Sequence, residues 1–168
     1  YYKTIATSKH YAVHSGPEQG RHQQDFYPTP KDLEETYLPQ FRTTVLDGKV
    51  GSLMCAYNAL YGVPACASQY LMEEKLRKQW GFDGYIVTDC GSAANTYRED
   101  ALAYETDRVN GVALGFIAGM DVICGDYRNN LTTEPEQIVE GVQRGILPAE
   151  ILHRALVRHP ELAETLGL

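Results

Sequence analysis

The chain has 168 residues, of which 43% are hydrophobic and 22% are charged, proportions typical of a globular domain. Its net charge of −7 argues against a nucleic-acid-binding surface, because such a surface needs clustered Lys and Arg to neutralise phosphates. No apolar run approaches the roughly 20 residues of a membrane span, so we expect neither nucleic acid nor membrane among its partners.

Strand-like and helical segments alternate along the first half of the chain. Thr4–Ser8 is predicted as the first strand and Val50–Tyr57 as the second. Between them, Thr29 as N-cap and Pro30 at the first helical position predict a helix with apolar residues at steps of four. Pro39 lies inside this pattern, so we expect a kink or a break there.

The second half of the chain repeats this alternation. The predicted elements are a helix from Ser68, a strand at Tyr85–Thr88, a helix running to Gly119, a strand at Met120–Ile123, and closing helices at Pro135–Arg144 and Pro148–His159. Alternating strands and helices predict an α/β fold with parallel strands and crossover helices. A closed barrel of this kind needs eight strands, and the strand–helix units here make half of one.

Polar or reactive side chains follow each predicted strand at its carboxyl end. They are Lys9 and His10, then Met54 to Asn58, then Asp89 and Cys90, and finally Cys124 and Asp126. Functional residues of parallel βα arrays collect at this end of the strands. A lone strand-end Asp is more often a helix cap than a catalyst, but the recurrence at successive strand ends favours a shared site.

Four segments along the chain carry a family resemblance. They read SKHYAVHSGPE, GSLMCAYNALYGVPACAS, LRKQWGFDGYIVTDCGS and AGMDVICG. In this order they resemble glycoside hydrolase family 3, the retaining exo-β-glycosidases. The resemblance implies that residues 1–125 are half of the family's catalytic TIM-like (β/α)8 barrel, strands five to eight. It also implies that residues 126–168 are terminal helices leading to an absent second domain.

The resemblance also implies roles for individual residues. Asp89 matches the nucleophile, which would form a covalent glycosyl-enzyme while a second carboxyl group acts as acid/base. Lys9 and His10 match a pair that holds sugar hydroxyl groups. Tyr57 matches a tyrosine that donates towards the nucleophile, and Met54 would form an apolar wall. For Tyr57 and Met54, a place in the ordinary core is the competing interpretation.

The family's acid/base Glu and the first barrel half lie outside the sequence given. We therefore expect a fragment whose partners are the missing barrel half and acid/base domain of the same polypeptide, and which is inactive alone. The implied substrates are oligosaccharides or glycosides with terminal β-D-xylosyl or β-D-glucosyl residues, and the implied chemistry needs no cofactor and no metal.

Two other functions stay open at this point. The β-N-acetylglucosaminidases of the family carry an acid/base His after the Lys-His pair, with an Asp two residues before a second His. Here His22 is present but position 20 is Gly, which argues against that branch. The other alternative is a non-catalytic sugar-binding or assembly module, which the flanking gene sequence would distinguish from an enzyme.

The cysteines are Cys55, Cys66, Cys90 and Cys124, and no two of them have the CxxC spacing of a zinc site. Neighbouring strands lie about 4.8 Å apart, within the roughly 4.4–6.8 Å that a disulfide spans between Cα atoms. We therefore expect Cys90 and Cys124 to be in bonding range, and Cys55 and Cys66 not to pair with them. Free thiols in a reducing compartment are the alternative, and the compartment stays open. Cysteine at both positions resembles xylosidase-like members of the family, which favours a pentose slightly.

Overall fold

A computed structural model describes residues 3–125, 134–159 and 164. The strands in this part of the chain are β1 (Thr7–Tyr11), β2 (Asp25–Phe26), β3 (Ser52–Cys55), β4 (Ala59–Leu60), β5 (Val63–Pro64) and β6 (Tyr85–Thr88). The α-helices are α1 (Pro30–Asp32), α2 (Pro39–Leu46), α3 (Ser92–Asn95), α4 (Arg108–Ala118), α5 (Glu134–Gln143) and α6 (Ala149–Arg158). Two π-helical segments lie at Leu33–Tyr37 and Tyr70–Gln79, and a 3₁₀ turn lies at Ala65–Ala67.

The central sheet is parallel and has the strand order β1–β3–β6. β1 begins at Thr7 rather than at the predicted Thr4, because pairing with β3 places Thr7 opposite Ser52. As a result Lys9 and His10 lie within the carboxyl end of the strand instead of after it. β6 matches its predicted bounds, and β3 is shorter than predicted.

The predicted fourth strand, Met120–Ile123, is reduced to one parallel bridge between Val87 and Val122. The prediction of a full strand was wrong, because the amides of Asp121 and Val122 both donate to the Ile86 carbonyl, at 2.9 and 3.0 Å. Two successive amides on one acceptor interrupt the regular ladder of a parallel pair. The segment still lies beside β6, which brings Cys124 next to the end of that strand.

A second, smaller sheet was not predicted from the sequence. In it β2 pairs in parallel with β4, and β4 pairs antiparallel with β5. Each of these strands has only two residues, which is too short for an alternating apolar pattern to be recognised. Because β2 and β4 follow the carboxyl ends of β1 and β3 along the chain, the small sheet lies close to the predicted site.

Proline and a capping residue predicted the start and the break of the first helical segment. Thr29 caps α1 by accepting a hydrogen bond from the Asp32 amide at 3.1 Å. The helical path breaks at Leu38, and Pro39 begins α2, as expected for proline at a first helical position. Pro148 is the N-cap of α6 rather than its first residue. None of the helices in the described ranges is long and apolar enough to span a membrane.

The core lies between the parallel sheet and the helices. Leu53 of β3 and Ile86 of β6 are fully buried and belong to one cluster with apolar residues of Tyr70–Gln79 and α4. The opposite face of the sheet is partly open, since Lys9 is exposed and Met54 and Val87 are half-buried. The fold is therefore a mixed α/β arrangement with parallel strands. The half-barrel and its two predicted ranges stay predictions, and Asp126 lies outside the described residues.

Asp121 is the centre of a buried ionic cluster beside the sheet. Its side chain is fully buried and accepts hydrogen bonds from the Ile86 amide at 2.9 Å and from Arg77 Nη2 at 3.0 Å. Arg158 Nη1 lies 3.4 Å from the other carboxylate oxygen. Arg77 also donates to the Gly84 carbonyl at 2.6 Å, so this cluster ties the helical segment Tyr70–Gln79 to the start of β6.

Candidate active site

Asp89 and His10 meet at the carboxyl edge of the parallel sheet. His10 Nε2 lies 3.3 Å from Asp89 Oδ2, across the intervening strand β3. The Asp89 amide donates to the Cys55 carbonyl at 3.0 Å, which anchors the backbone of Asp89 to β3. The Asp89 side chain is 12% exposed and that of His10 is 29% exposed, so the pair is partly shielded but still open to solvent.

The Asp89 side chain does not cap the short helix that follows it. Gly91 occupies the N-cap position of α3, with a φ of 80° that favours glycine. Asp89 Oδ1 instead accepts from the Cys90 amide at 2.8 Å, and Oδ2 faces His10. The Cys90 amide at one oxygen and the imidazole beside the other restrict the orientation of the carboxylate. The competing interpretation of Asp89 as a helix cap therefore does not describe its geometry.

Burial and neighbouring charges act on the pKa of His10. Burial has the largest effect and lowers the pKa of His10, Asp89 raises it, and Lys9, His14 and Arg21 lower it further, so the pKa lies below its ordinary value. A neutral imidazole has one N–H and one acceptor nitrogen, a combination that suits neighbouring sugar hydroxyl groups. Because the folded-state pKa is depressed, the stability linked to His10 is fully present above about pH 6.5 and decreases as the pH falls.

Lys9 and Met54 lie on the partly open face of the sheet. Lys9 pairs with Met54 across β1 and β3, and Met54 pairs with Val87 across β3 and β6. Residues paired in this way on parallel strands project from the same face. Lys9 and Met54 are therefore neighbours, in keeping with a polar contact and an apolar wall in one site.

Tyr57 lies just beyond the end of β3 and is almost buried. Its hydroxyl donates to the carbonyl of Cys90 at 2.9 Å, one residue away from Asp89. The ring of His22 lies 4.2 Å from the Tyr57 ring, and the Arg21 guanidinium lies 5.0 Å from the same ring centre. The loop between β1 and β2 therefore covers Tyr57, a contact that no sequence signal indicated.

Two disulfides brace the residues around Asp89. Cys90 and Cys124 are bonded with Cα atoms 4.5 Å apart, and Cys55 and Cys66 are bonded with Cα atoms 5.2 Å apart. The second bridge was not predicted, because only the β4–β5 hairpin returns Cys66 to the end of β3. The segment after Asp89 is held further by the Gly91 amide, which donates to the Cys124 carbonyl at 2.9 Å.

Other cavities and histidines lie away from this cluster. A cavity of about 520 Å³ lies between α4, α5 and α6, and its mainly apolar walls include Phe116 and Leu152. A mainly apolar cavity of this kind presents few hydrogen-bonding groups to the hydroxyl groups of a sugar. His153 is exposed on α6, and the His159 ring contacts Tyr85 at 4.7 Å. The described ranges hold no group of three or more His, Cys, Asp or Glu residues arranged to bind a metal ion.

Comparison with known proteins gives consistent matches over most of the chain. Residues 2–161 match the glycosyl hydrolase family 3 N-terminal domain. A xylan 1,4-β-xylosidase of Xylanibacter ruminicola is 37% identical over 159 residues, which are 94% of this chain and 18% of that protein. An exo-1,4-β-xylosidase of Emericella nidulans is 37% identical over 164 residues, 93% of this chain and 20% of that protein.

Solved structures show the same relationship. A family 3 exo-β-xylosidase, XlnD, in complex with a xylobiose aziridine activity-based probe, matches with a TM-score of 0.85 and 30% identity over 97% of this chain. β-Glucosidase 3B of Thermotoga neapolitana matches with a TM-score of 0.76 and 26% identity over 95% of this chain. The matched regions are 21% and 20% of those chains, so this chain spans about a fifth of the relatives' length.

Proposed function

This chain belongs to glycosyl hydrolase family 3, and from that premise we propose that it forms part of a retaining exo-β-glycosidase and carries the nucleophile, Asp89. The observation that supports the proposal best is the placement of the Asp89 carboxylate, 3.3 Å from His10 at the edge where parallel strands end. In this proposal residues 1–125 are half of the catalytic barrel. Residues 126–168 lead out of it, and the acid/base group lies elsewhere in the same polypeptide.

Asp89 attacks the anomeric carbon of a terminal β-linked sugar in the first step of the proposed reaction. The bond from that carbon to the glycosidic oxygen breaks, and the leaving group takes a proton from the acid/base residue. The product is a glycosyl ester on Asp89. Water, deprotonated by the same acid/base group, then displaces Asp89 and releases a sugar with retained configuration.

The residues around Asp89 have binding roles in this proposal. Lys9 and His10 hold the hydroxyl groups of the sugar, the first as a charged donor and the second as a neutral donor and acceptor. Met54 packs against an apolar face of the sugar. Tyr57 fixes the backbone beside the nucleophile through its 2.9 Å bond to the Cys90 carbonyl.

The substrate proposed is an oligosaccharide with a terminal β-D-xylosyl or β-D-glucosyl residue, and two observations favour xylose. The related proteins from X. ruminicola and E. nidulans are named as xylosidases. In addition, the Cys90–Cys124 disulfide lies directly beside Asp89. In this proposal the bridge takes up space that the hydroxymethyl group of a hexose would need, whereas a pentose has no such group.

We expect the full-length protein to hydrolyse an aryl β-D-xyloside with a kcat/KM about tenfold above that for the matched β-D-glucoside. One substituent that a pocket must accommodate or reject is typically worth about 10–200-fold, and the missing barrel half also shapes the pocket. Steady-state kinetics on both substrates, with the α-linked xyloside as control, provide the measurement. A clear glucoside preference would overturn the pentose assignment, and absence of turnover on every β-glycoside would overturn the proposed function.

A further inference from the structure

The loop between β1 and β2 places an imidazole against the ring of Tyr57. The ring centres of His22 and Tyr57 lie 4.2 Å apart with their planes inclined at 51°. Aromatic pairs at this separation are attractive beyond the area that they bury. Because Tyr57 is 6% exposed, its ring has little freedom on the side that His22 covers.

His22 also contacts a residue of the segment that follows Asp89. Asn95, in α3, is 1% exposed, and its Nδ2 lies within hydrogen-bonding distance of His22 Nδ1, at 3.0 Å. The same nitrogen lies 3.4 Å from the Tyr57 carbonyl oxygen. A second bond anchors the loop nearby, from Gln23 Nε2 to the Asp100 carbonyl at 2.8 Å. The position of His22 is therefore set by the segment that follows Asp89.

The hydroxyl group of Tyr57 lies close to the backbone of the proposed nucleophile. Its hydroxyl donates to the carbonyl of Cys90, the residue that follows Asp89 and whose amide donates to Asp89 Oδ1 at 2.8 Å. Contacts thus run from Asn95 to His22, from His22 to the Tyr57 ring, and from the Tyr57 hydroxyl to the carbonyl of Cys90, the residue whose amide contacts Asp89. This series of contacts begins and ends in the segment that follows β6, since Asn95 and Cys90 both belong to it.

We propose that His22 is a positioning residue of the reaction, which orients Asp89 by holding Tyr57 in place. This inference rests on the proposed role of Asp89 as nucleophile. His22 acts through its ring, which fixes the Tyr57 hydroxyl against the Cys90 carbonyl and so keeps the Asp89 carboxylate aligned for attack. It does not exchange a proton with the substrate in this role.

His22→Ala in the full-length protein is expected to lower kcat for an aryl β-xyloside about 10–100-fold, with KM changed less than about threefold. A residue that acts only on the alignment of the nucleophile affects the chemical step more than substrate binding. His22→Phe, which retains a ring over Tyr57, is expected to recover most of the lost kcat. His153→Ala, at an exposed histidine of α6, is the matched control and should leave both constants unchanged.

A double-mutant cycle with Tyr57→Phe separates this role from the alternatives. Once the Tyr57 hydroxyl is removed, His22→Ala should lower kcat by no more than about threefold further, since both changes break one chain of contacts. If H22A does not fold, His22→Gln, which keeps an acceptor for Asn95 but has no ring, is used in its place. Additive losses, or a loss confined to KM, would overturn the inference. Either result leaves the proposed function intact as long as Asp89→Ala is inactive.

Discussion

Asp89→Ala in the full-length protein is expected to lower kcat for an aryl β-xyloside by about 10⁴-fold or more, because no group remains to form the covalent intermediate. The substitution removes a carboxylate from a partly shielded site at the end of β6, where one oxygen accepts from the Cys90 amide and the other lies 3.3 Å from His10 Nε2. Thermal unfolding of the same samples will show whether the variant is folded. Asp83→Ala, at an exposed aspartate before the same strand, is the control and should retain full activity.

A small anion should restore part of the lost turnover. Azide or formate can enter the space that the Asp89 carboxylate leaves and attack the anomeric carbon in its place. With azide as the attacking group, the product is a glycosyl azide of inverted configuration, since only one displacement takes place. Near-wild-type activity of Asp89→Ala without any added anion would contradict the assignment of Asp89.

Asp121→Ala is expected to destabilise the fold by about 3–5 kcal/mol, because it leaves the buried guanidinium of Arg77 without its partner. Burial raises the pKa of Asp121 and lowers that of Arg77 to about 10, although the opposite charges partly offset burial in both groups. The substitution also leaves the Ile86 amide without the acceptor that it has at 2.9 Å. The cost is therefore that of breaking a buried pair, not the net contribution of that pair to stability.

Urea unfolding of the wild type and of Asp121→Ala measures this difference in the free energy of unfolding. Asp83→Ala is again a suitable control, since an exposed aspartate without a buried partner should change stability by less than about 0.5 kcal/mol. If Asp121→Ala also changes the free energy of unfolding by less than about 0.5 kcal/mol, the structural role of the buried cluster is contradicted.

The regular part of the fold could be predicted from local patterns in the sequence. The bounds of β6, the cap at Thr29 and the break at Pro39 all depend on residues within one element. The starting residue of β1 could not be predicted in this way, because it is set by pairing with β3. The segment around Val122 could not either, because two amides there share one acceptor on a neighbouring strand.

The candidate site, like the fold, could be predicted from the sequence only in part. Strand ends indicated Lys9, His10 and Asp89, and the structure brings His10 and Asp89 within 3.3 Å. The Cys55–Cys66 bridge and the contact of the His22 ring with the Tyr57 ring depend on where a hairpin and a loop return to the sheet. No periodicity or capping signal encodes those returns, so these contacts appear only in the folded chain.

The assignment of Asp89 as nucleophile is best tested by identifying the residue that forms the covalent intermediate. A xylose-configured aziridine, whose ring a nucleophilic carboxylate opens to give a stable ester, can be reacted with the active full-length protein. Peptide mass spectrometry then locates the adduct. We expect one probe molecule per protein, on Asp89, and no such adduct in Asp89→Ala. An adduct on a different carboxylate, with Asp89 unmodified in the active protein, would contradict the assignment.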